Sequence, residues 1–215
     1  MRSWVSCDCE ERHTPKRVVL TGGPGAGKTA VLELIGHFFC HHVKVLPEAA
    51  GIIFGGGFPR DRNPELQRAA QRAIFYVQRE LEAVAAVGDP AIILCDRGTV
   101  DSVAFWPGPR DFWEEVGTTV AAQFSRYDTV VHLRTPNIAG AYNRDNPLRI
   151  ESAAEAVAAD ERILAAWAGH PHRIVIEATP DFLLKASRTI ELIRAQLPKC
   201  CEHHAVSLSQ GASIL

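Results

Sequence analysis

"RVVLTGGPGAGKTAVLELIG", residues 17–36, decides the architecture. Val18–Thr21 is short, apolar and largely β-branched, the pattern of a buried strand, whereas Ala30–Ile35, rich in Leu and with Glu, has the composition of a helix. Between them Gly22, Gly23, Pro24, Gly25, Ala26, Gly27, Lys28 and Thr29 fit G-x-x-x-x-G-K-[ST], a loop that cradles phosphates. Glycines let backbone N–H groups approach phosphate oxygens with no Cβ in the way. The following helix adds unpaired N–H groups and a positive dipole end, so the amides from Gly22 to Ala30 are the expected nucleotide-binding set. Lys28 is expected to bridge the outer phosphates and the Thr29 hydroxyl to hold Mg²⁺. A chance match on a glycine-rich turn would not sit between a strand and a helix.

The 215 residues suggest one domain with short elaborations, and 47% hydrophobic and 22% charged residues are ordinary for a globular chain. A formal net charge of −2 offers no broad basic face, so no nucleic-acid partner is expected. No apolar stretch approaches the length of a membrane span, and "MRSWVSCDCEERHTPKR" lacks the apolar core of a signal peptide. A cytoplasmic location and reduced cysteines are the expectation. Cys40 and Cys95 lie in apolar contexts and read as small core residues. Cys7 and Cys9 near one end, and Cys200, Cys201, His203 and His204 near the other, could bind zinc if the ends met. C-x-C and C-C-x-H-H are not the usual zinc spacings, so such a site is not expected.

Apolar runs alternate with helical patterns from Lys16 to about Pro198, the signature of a parallel α/β sheet. The expected strands are Val18–Thr21, Val43–Leu46, Ala91–Cys95, Thr129–Leu133 and Arg173–Ile176. Asn63-Pro64-Glu65 is a helix start, and apolar residues from Leu66 to Val84 then recur at three- and four-residue steps. Asp111 can cap a helix carrying Phe112, Val116, Val120 and Phe124; Ser152 begins an alanine-rich helix reaching Trp167; Thr179-Pro180 opens a last helix that Pro198 stops. His132 reads as a satisfied core histidine. Segments 1–15 and 199–215 have no clear period and read as an extension and a tail around a domain of residues 16–198.

In an open parallel sheet, ligands gather beyond the carboxyl ends of the strands. Glu48 stands just past the second strand, Asp96 and Arg97 at the end of the third, and Glu177 at the end of the fifth. An acid directly after an apolar strand fits a metal-orienting role for Asp96; the bland alternative is a cap or a salt bridge to Arg97. Glu48 can aim and deprotonate an acceptor hydroxyl, or it is a turn residue after Pro47. Arg97 occupies the position where hydrolytic motors commonly carry a water-polarising glutamate, and a guanidinium cannot activate water. Transfer to a bound hydroxyl therefore gains over hydrolysis.

Arg144 and Arg149 bracket the turn at Asn146-Pro147, where a closing lid would bring guanidinium groups to the transferring phosphoryl; the alternative is a solvated loop. Gly55-Gly56-Gly57 follows Glu48 and is expected in the acceptor pocket. Arg60 and Arg62 either contact an anionic acceptor or are solvated.

With these residues assembled, the chain resembles the P-loop family that groups the ribosylnicotinamide kinase domain of NadR with the TRPL translocation-defect proteins. The resemblance spans most of 17–197 and rests on "TGGPGAGKT", "LPEAA", "GGFPRD", "QRAIF", "CDRGTVD", "VVHL" and "NPLRIESAAEA". It implies a nucleoside/nucleotide-kinase-like core, a five-stranded parallel sheet with helices on both faces. It suggests Lys28 and Thr29 at phosphate and Mg²⁺, Asp96 at the metal or the acceptor hydroxyl, and Arg144 and Arg149 in a lid. Some relatives phosphorylate a ribosyl hydroxyl and others bind GTP and lipid as regulators. The NadR DNA-binding and adenylyltransferase parts have no counterpart here, so a free-standing module is expected. The sequence has no N-K-x-D run, which favours ATP over GTP. Two functions follow: a kinase moving the γ-phosphate of ATP to a hydroxyl of a nucleoside or riboside, or a nucleotide-dependent regulatory binding protein.

Overall fold

The computed structural model describes residues 7–136 and 152–202. Arg144 and Arg149, and with them the expected lid, lie outside the described residues, as do His203 and His204. Five strands, β1 (Lys16–Thr21), β2 (Val43–Leu46), β3 (Ile92–Asp96), β4 (Thr129–Leu133) and β5 (Arg173–Ile176), form one sheet in the order β2-β3-β1-β4-β5. Every neighbouring pair is parallel. The register aligns Leu20 with Asp96 and Thr21 with His132, so the ends of the three central strands reach one rim.

Alternation along the strands explains why the runs are apolar throughout. Val18, Leu20, Ile92, Leu94, Val131 and Leu133 face one layer, packed with Val31 and Ile35 of α1 (Lys28–Phe38) and Ile190 and Ile193 of α7 (Phe182–Arg194). Val19, Ile93, Cys95 and Val130 face the other, packed with Val100, Ala104, Ile163 and Trp167. That second layer holds α3 (Pro64–Ala86), a 3₁₀ segment at Thr99–Phe105, and α6 (Ala153–Ala166). Helices thus cover both faces, as the sequence pattern requires.

Local chemistry sets the helix starts. The Asn63 side chain accepts from the Glu65 amide ahead of Pro64, and Ser152 and Glu155 form a reciprocal capping box for α6. Between Thr119 and Asp111 the pattern misleads: the single helix expected over Phe112–Phe124 is two short ones, α4 (Phe112–Glu115) and α5 (Val120–Phe124). Gly117 turns left-handed at φ 66°, and Thr119 caps a new start by accepting from the Ala122 amide. Asp181, not Thr179, caps α7, and the helix ends at Arg194 before Pro198 is reached. The chain after Pro198 continues as α8 (Lys199–Glu202), and Cys201 is fully buried in the core beside α1 and α7.

A phosphate loop and two carboxylates around one cavity

The glycine-rich loop leaves β1 at a point where no side chain fits. Gly22 has φ 129°, and a Cβ there would lie 2.0 Å from the Leu133 carbonyl oxygen of β4. Gly27 is left-handed at φ 92° and caps α1 without a side-chain bond, so the helix opens on bare amides. Lys28, the first residue of α1, is buried and folds back across the loop, donating to the carbonyls of Gly22 at 2.9 Å and Gly23 at 3.0 Å.

The loop is also held from behind. Gly23 donates its amide to Asp160 Oδ1 at 2.8 Å, and Lys185 of α7 donates to the Ala26 carbonyl at 2.9 Å. Asp160 is pinned in turn by His132 Nε2 at 2.9 Å and the Thr135 amide at 3.2 Å. His132 is a buried core histidine paired at Nε2, but its Nδ1 has no hydrogen-bond partner among the described residues, so the expectation of a satisfied histidine holds at one ring nitrogen only. Gly23 anchors the loop with an amide that the sequence reading assigned to phosphate. The loop residues that line the cavity are Pro24, Gly25, Lys28 and Thr29.

Glu48 and Asp96 reach the same cavity. Glu48 is the N-terminal cap of α2 (Ala49–Gly55) and accepts from Arg97 Nε at 2.6 Å. Arg97 follows β3 in a left-handed conformation, φ 70°, uncommon for any residue with a Cβ. Its guanidinium also donates to the Gly22 carbonyl at 3.1 Å and Asp101 Oδ1 at 3.2 Å. Asp101, on the 3₁₀ segment, further accepts from the Gly98 amide, Trp167 Nε1 and the Thr21 hydroxyl. The ends of β1 and β3 and a buried indole thus converge on one carboxylate. "CDRGTVD" contained that signal, since Asp101 lies four residues past Arg97, but sequence alone gave it no partner.

Opposing charges tune this floor. Burial, then the neighbouring Glu48 charge, pushes Asp96 up to about 6. Burial would raise Glu48 too, but Arg97 and Lys28 outweigh it and hold its carboxyl below the usual range. Burial, with the Arg97 charge adding to it, brings Lys28 down to about 8. For Arg97 the desolvation penalty is overcome by Glu48, Asp101 and Asp96, which raise its pKa. Asp96 Oδ1 is buried with no hydrogen-bond partner among the described residues. An orphaned carboxylate oxygen in a cavity that a threonine also lines suits a hard divalent cation, and Asp96 and Thr29 are the pair that could hold one.

The cavity has a volume of about 450 Å³. Beyond the acids it runs along one face of α3, where Gln67, Gln71, Ile74 and Gln78 succeed one another at helical spacing. Gln71 and Gln78 are buried polar residues that the sequence reading had not selected. Arg60, stacked 4.4 Å over the Phe54 ring, and Arg62 close the outer side. Arg62 is highly exposed and pairs with Glu155 at 4.0 Å. Gly55, Gly56 and Gly57 border this region without lining it, and exposed Glu177 stands apart from the cavity.

The fold is that of P-loop kinases. The structure of NadR protein in complex with NR superposes with a TM-score of 0.65 at 16% identity, covering 86% of this chain and 52% of that one. This chain therefore spans about half the length of that protein. Thymidylate kinase from Candida albicans superposes with a TM-score of 0.59 at 13% identity, covering 84% of this chain and 92% of that one. No curated protein matches in sequence. Among the described residues, no helix is long and apolar enough to cross a membrane. The AAA_28 family, an AAA domain, matches residues 17–182, from the first strand through the phosphate loop, the acids and the sheet to the start of α7, and the chain belongs to that family.

Proposed function

We infer that the protein is a small-molecule kinase, moving the γ-phosphate of ATP to a hydroxyl of a nucleoside or riboside. The observation that carries this reading is one cavity that joins a phosphate end at Lys28 and Thr29 to a polar-lined end at Gln67 and Gln71. Its volume of about 450 Å³ is in the range of small-ligand sites. The likeness to two kinase structures supports the same class, with the acceptor left to the chemistry of the pocket.

In this reading the amides of the loop and Lys28 would grip the outer phosphates, and Thr29 and Asp96 would hold Mg²⁺. The metal supplies charge neutralisation on the phosphate oxygens. Glu48 accepts a hydrogen bond from the acceptor hydroxyl and aims its oxygen at the γ-phosphorus. The new P–O bond forms as the bond to the leaving ADP oxygen breaks, and the hydroxyl proton passes to the carboxylate. A loose transition state asks more for aim than for a strong base, so a Glu held ionised by Arg97 is serviceable. Arg97, fixed by Glu48 and Asp101, adds positive charge at the floor. Arg144 and Arg149 are proposed as lid residues and Arg60 as a contact to the acceptor.

Incubation with ATP, Mg²⁺ and a panel of nucleosides and ribosides, read by phosphorylated product, tests the proposal. A product from one acceptor class, lost in Lys28→Ala, is the expected result. No product from any acceptor, with tight nucleotide binding retained, would overturn the kinase reading in favour of a nucleotide-gated binding protein. GTP in place of ATP decides the base preference.

A further inference from the structure

At the opposite end of the sheet from the phosphate loop, four metal-ligating side chains from three parts of the chain converge. Cys7 comes from the N-terminal coil, Cys40 and His42 from the connection between α1 and β2, and Cys201 from α8. One ligand atom from each lies within 4.8 Å of all the others. Cys40, His42 and Cys201 are buried and Cys7 is half-buried. The location follows from His42, which immediately precedes β2 and whose carbonyl accepts from the Ala91 amide ahead of β3. These are the starts of the strands, whereas Glu48 and Asp96 lie at their ends.

The spacing of the ligand atoms is compatible with a coordination shell. For zinc with Zn–S near 2.3 Å and Zn–N near 2.0–2.1 Å, tetrahedral geometry requires S···N edges of about 3.6 Å and S···S edges of about 3.8 Å. His42 Nδ1 lies 3.4 Å from Cys201 Sγ and 3.7 Å from Cys40 Sγ. Both edges fall within about 0.2 Å of the tetrahedral value, the tolerance expected of a real site. Among the described residues this is the one set in which four ligands are mutually close; the neighbouring Cys9, His13 and Cys200 assemble only in threes.

We propose that Cys7, Cys40, His42 and Cys201 form a structural Cys₃His site for Zn²⁺ that staples both ends of the chain to the core. Four protein ligands fill a tetrahedral shell, which marks a structural rather than a catalytic centre. Soft thiolates with one imidazole select zinc over the Mg²⁺ that suits the oxygen donors at the other end of the sheet. The gain in stability comes from closing long chain segments: Cys7 and Cys201 are anchored to the α1–β2 connection rather than to local neighbours. The spacings C-x-C and C-C-x-H-H were unpromising because the working ligands are drawn from Cys40-x-His42 and one cysteine of each terminal pair.

The full chain, reduced and freed of metal under anaerobic conditions, is titrated with Co²⁺. The expected result is one equivalent bound with a thiolate-to-cobalt charge-transfer band and intense tetrahedral ligand-field bands, both erased by Zn²⁺. Zinc should also raise the melting temperature of the metal-free protein. Cys40→Ser should abolish the bands; because Cys40 is packed in the core, Cys7→Ser on the coil is the second variant, with an affinity loss of tenfold or more. Cys95→Ser, on the other face of the sheet, should leave the bands intact. Folded, reduced protein with no charge-transfer band would overturn the proposal. So would bands that survive Cys7→Ser and Cys40→Ser, or that vanish in Cys9→Ser instead, which would move the ion to the neighbouring trio.

Discussion

Arg97 donates from Nε to Glu48 Oε1 across 2.6 Å, tying the residue after β3 to the residue that opens α2. The pair sets the position of both groups at the cavity floor, and Asp101 holds the guanidinium from the other side. Replacing Glu48 by Gln keeps the shape and one hydrogen-bond acceptor but removes the charge. Phosphoryl transfer should fall by a factor on the order of 10²–10⁴, with ATP affinity changed less than about threefold. Single-turnover kinetics beside calorimetry separates the two; equal losses in both would make Glu48 a structural residue.

Arg97 itself carries backbone strain at φ 70°. Removing its side chain leaves Glu48 and Asp101 without their cation, so Arg97→Ala should destabilise the fold by about 2–4 kcal/mol. Arg97→Gly loses the same contacts but relieves the left-handed strain, and should be more stable than the alanine variant by about 0.5–1 kcal/mol. Urea denaturation of the two variants orders them, and a less stable glycine variant would refute the strain.

Asp96 is a buried carboxylate whose pKa rises from 3.8 to about 6 on folding. The folded state then binds the proton more tightly than the unfolded one, so this group's contribution to stability is full below about pH 4 and is lost as pH rises through about 6. Above that range the charge costs about 2–3 kcal/mol at 1.36 kcal/mol per pH unit. Asp96→Asn should raise the melting temperature at pH 7.5 and lose that advantage at pH 4. It should also weaken binding of Mg²⁺–ATP, so stability and affinity move in opposite directions. A lower melting temperature at pH 7.5 would mean that the pull of Lys28 and Arg97 dominates.

Lys28 comes down to about 8, chiefly through burial. Its charge is present below that pH and fades above it, while a bound polyphosphate restores it. ATP affinity should therefore decline by up to tenfold per pH unit above about 8, with a proton taken up on binding. Calorimetry in buffers of different ionisation enthalpy measures that proton. Lys28→Met should bind ATP at least ~10-fold more weakly and show no alkaline decline.

Asp160 couples the loop to the core through Gly23, His132, Thr135 and Arg134, whose Nε lies 3.1 Å from Oδ2. Burial raises its pKa, but the bonds from His132 and the Gly23 amide outweigh that and lower it. Its stabilisation is present above pH 3.8 and is lost as pH falls through the lowered folded value. Asp160→Ala should cost about 2–4 kcal/mol by stranding buried donors, and should weaken ATP binding as the loop loses its anchor. Thermal melts at pH 7 measure the first effect, and the gap between parent and variant should narrow as pH falls below 3.8.

What the sequence determined was whatever depends on neighbours along the chain. Val18–Thr21, the glycine spacing and Lys28 specify strand, loop and helix within twenty residues, and the short apolar runs around Ile93 and Val131, alternating with helical patterns, read as strands buried on both faces. Placing Glu48 and Asp96 beside the loop also followed, because a parallel sheet carries all its strand ends to one rim. Tertiary structure decided the rest. The turn of Gly23's amide to Asp160, the grip of Asp101 on Arg97, the break at Gly117, and the convergence of Cys7, Cys40, His42 and Cys201 all depend on register and packing between distant segments. Side chains that meet only through the fold leave no period and no spacing to read, because the distance that matters to them is through space.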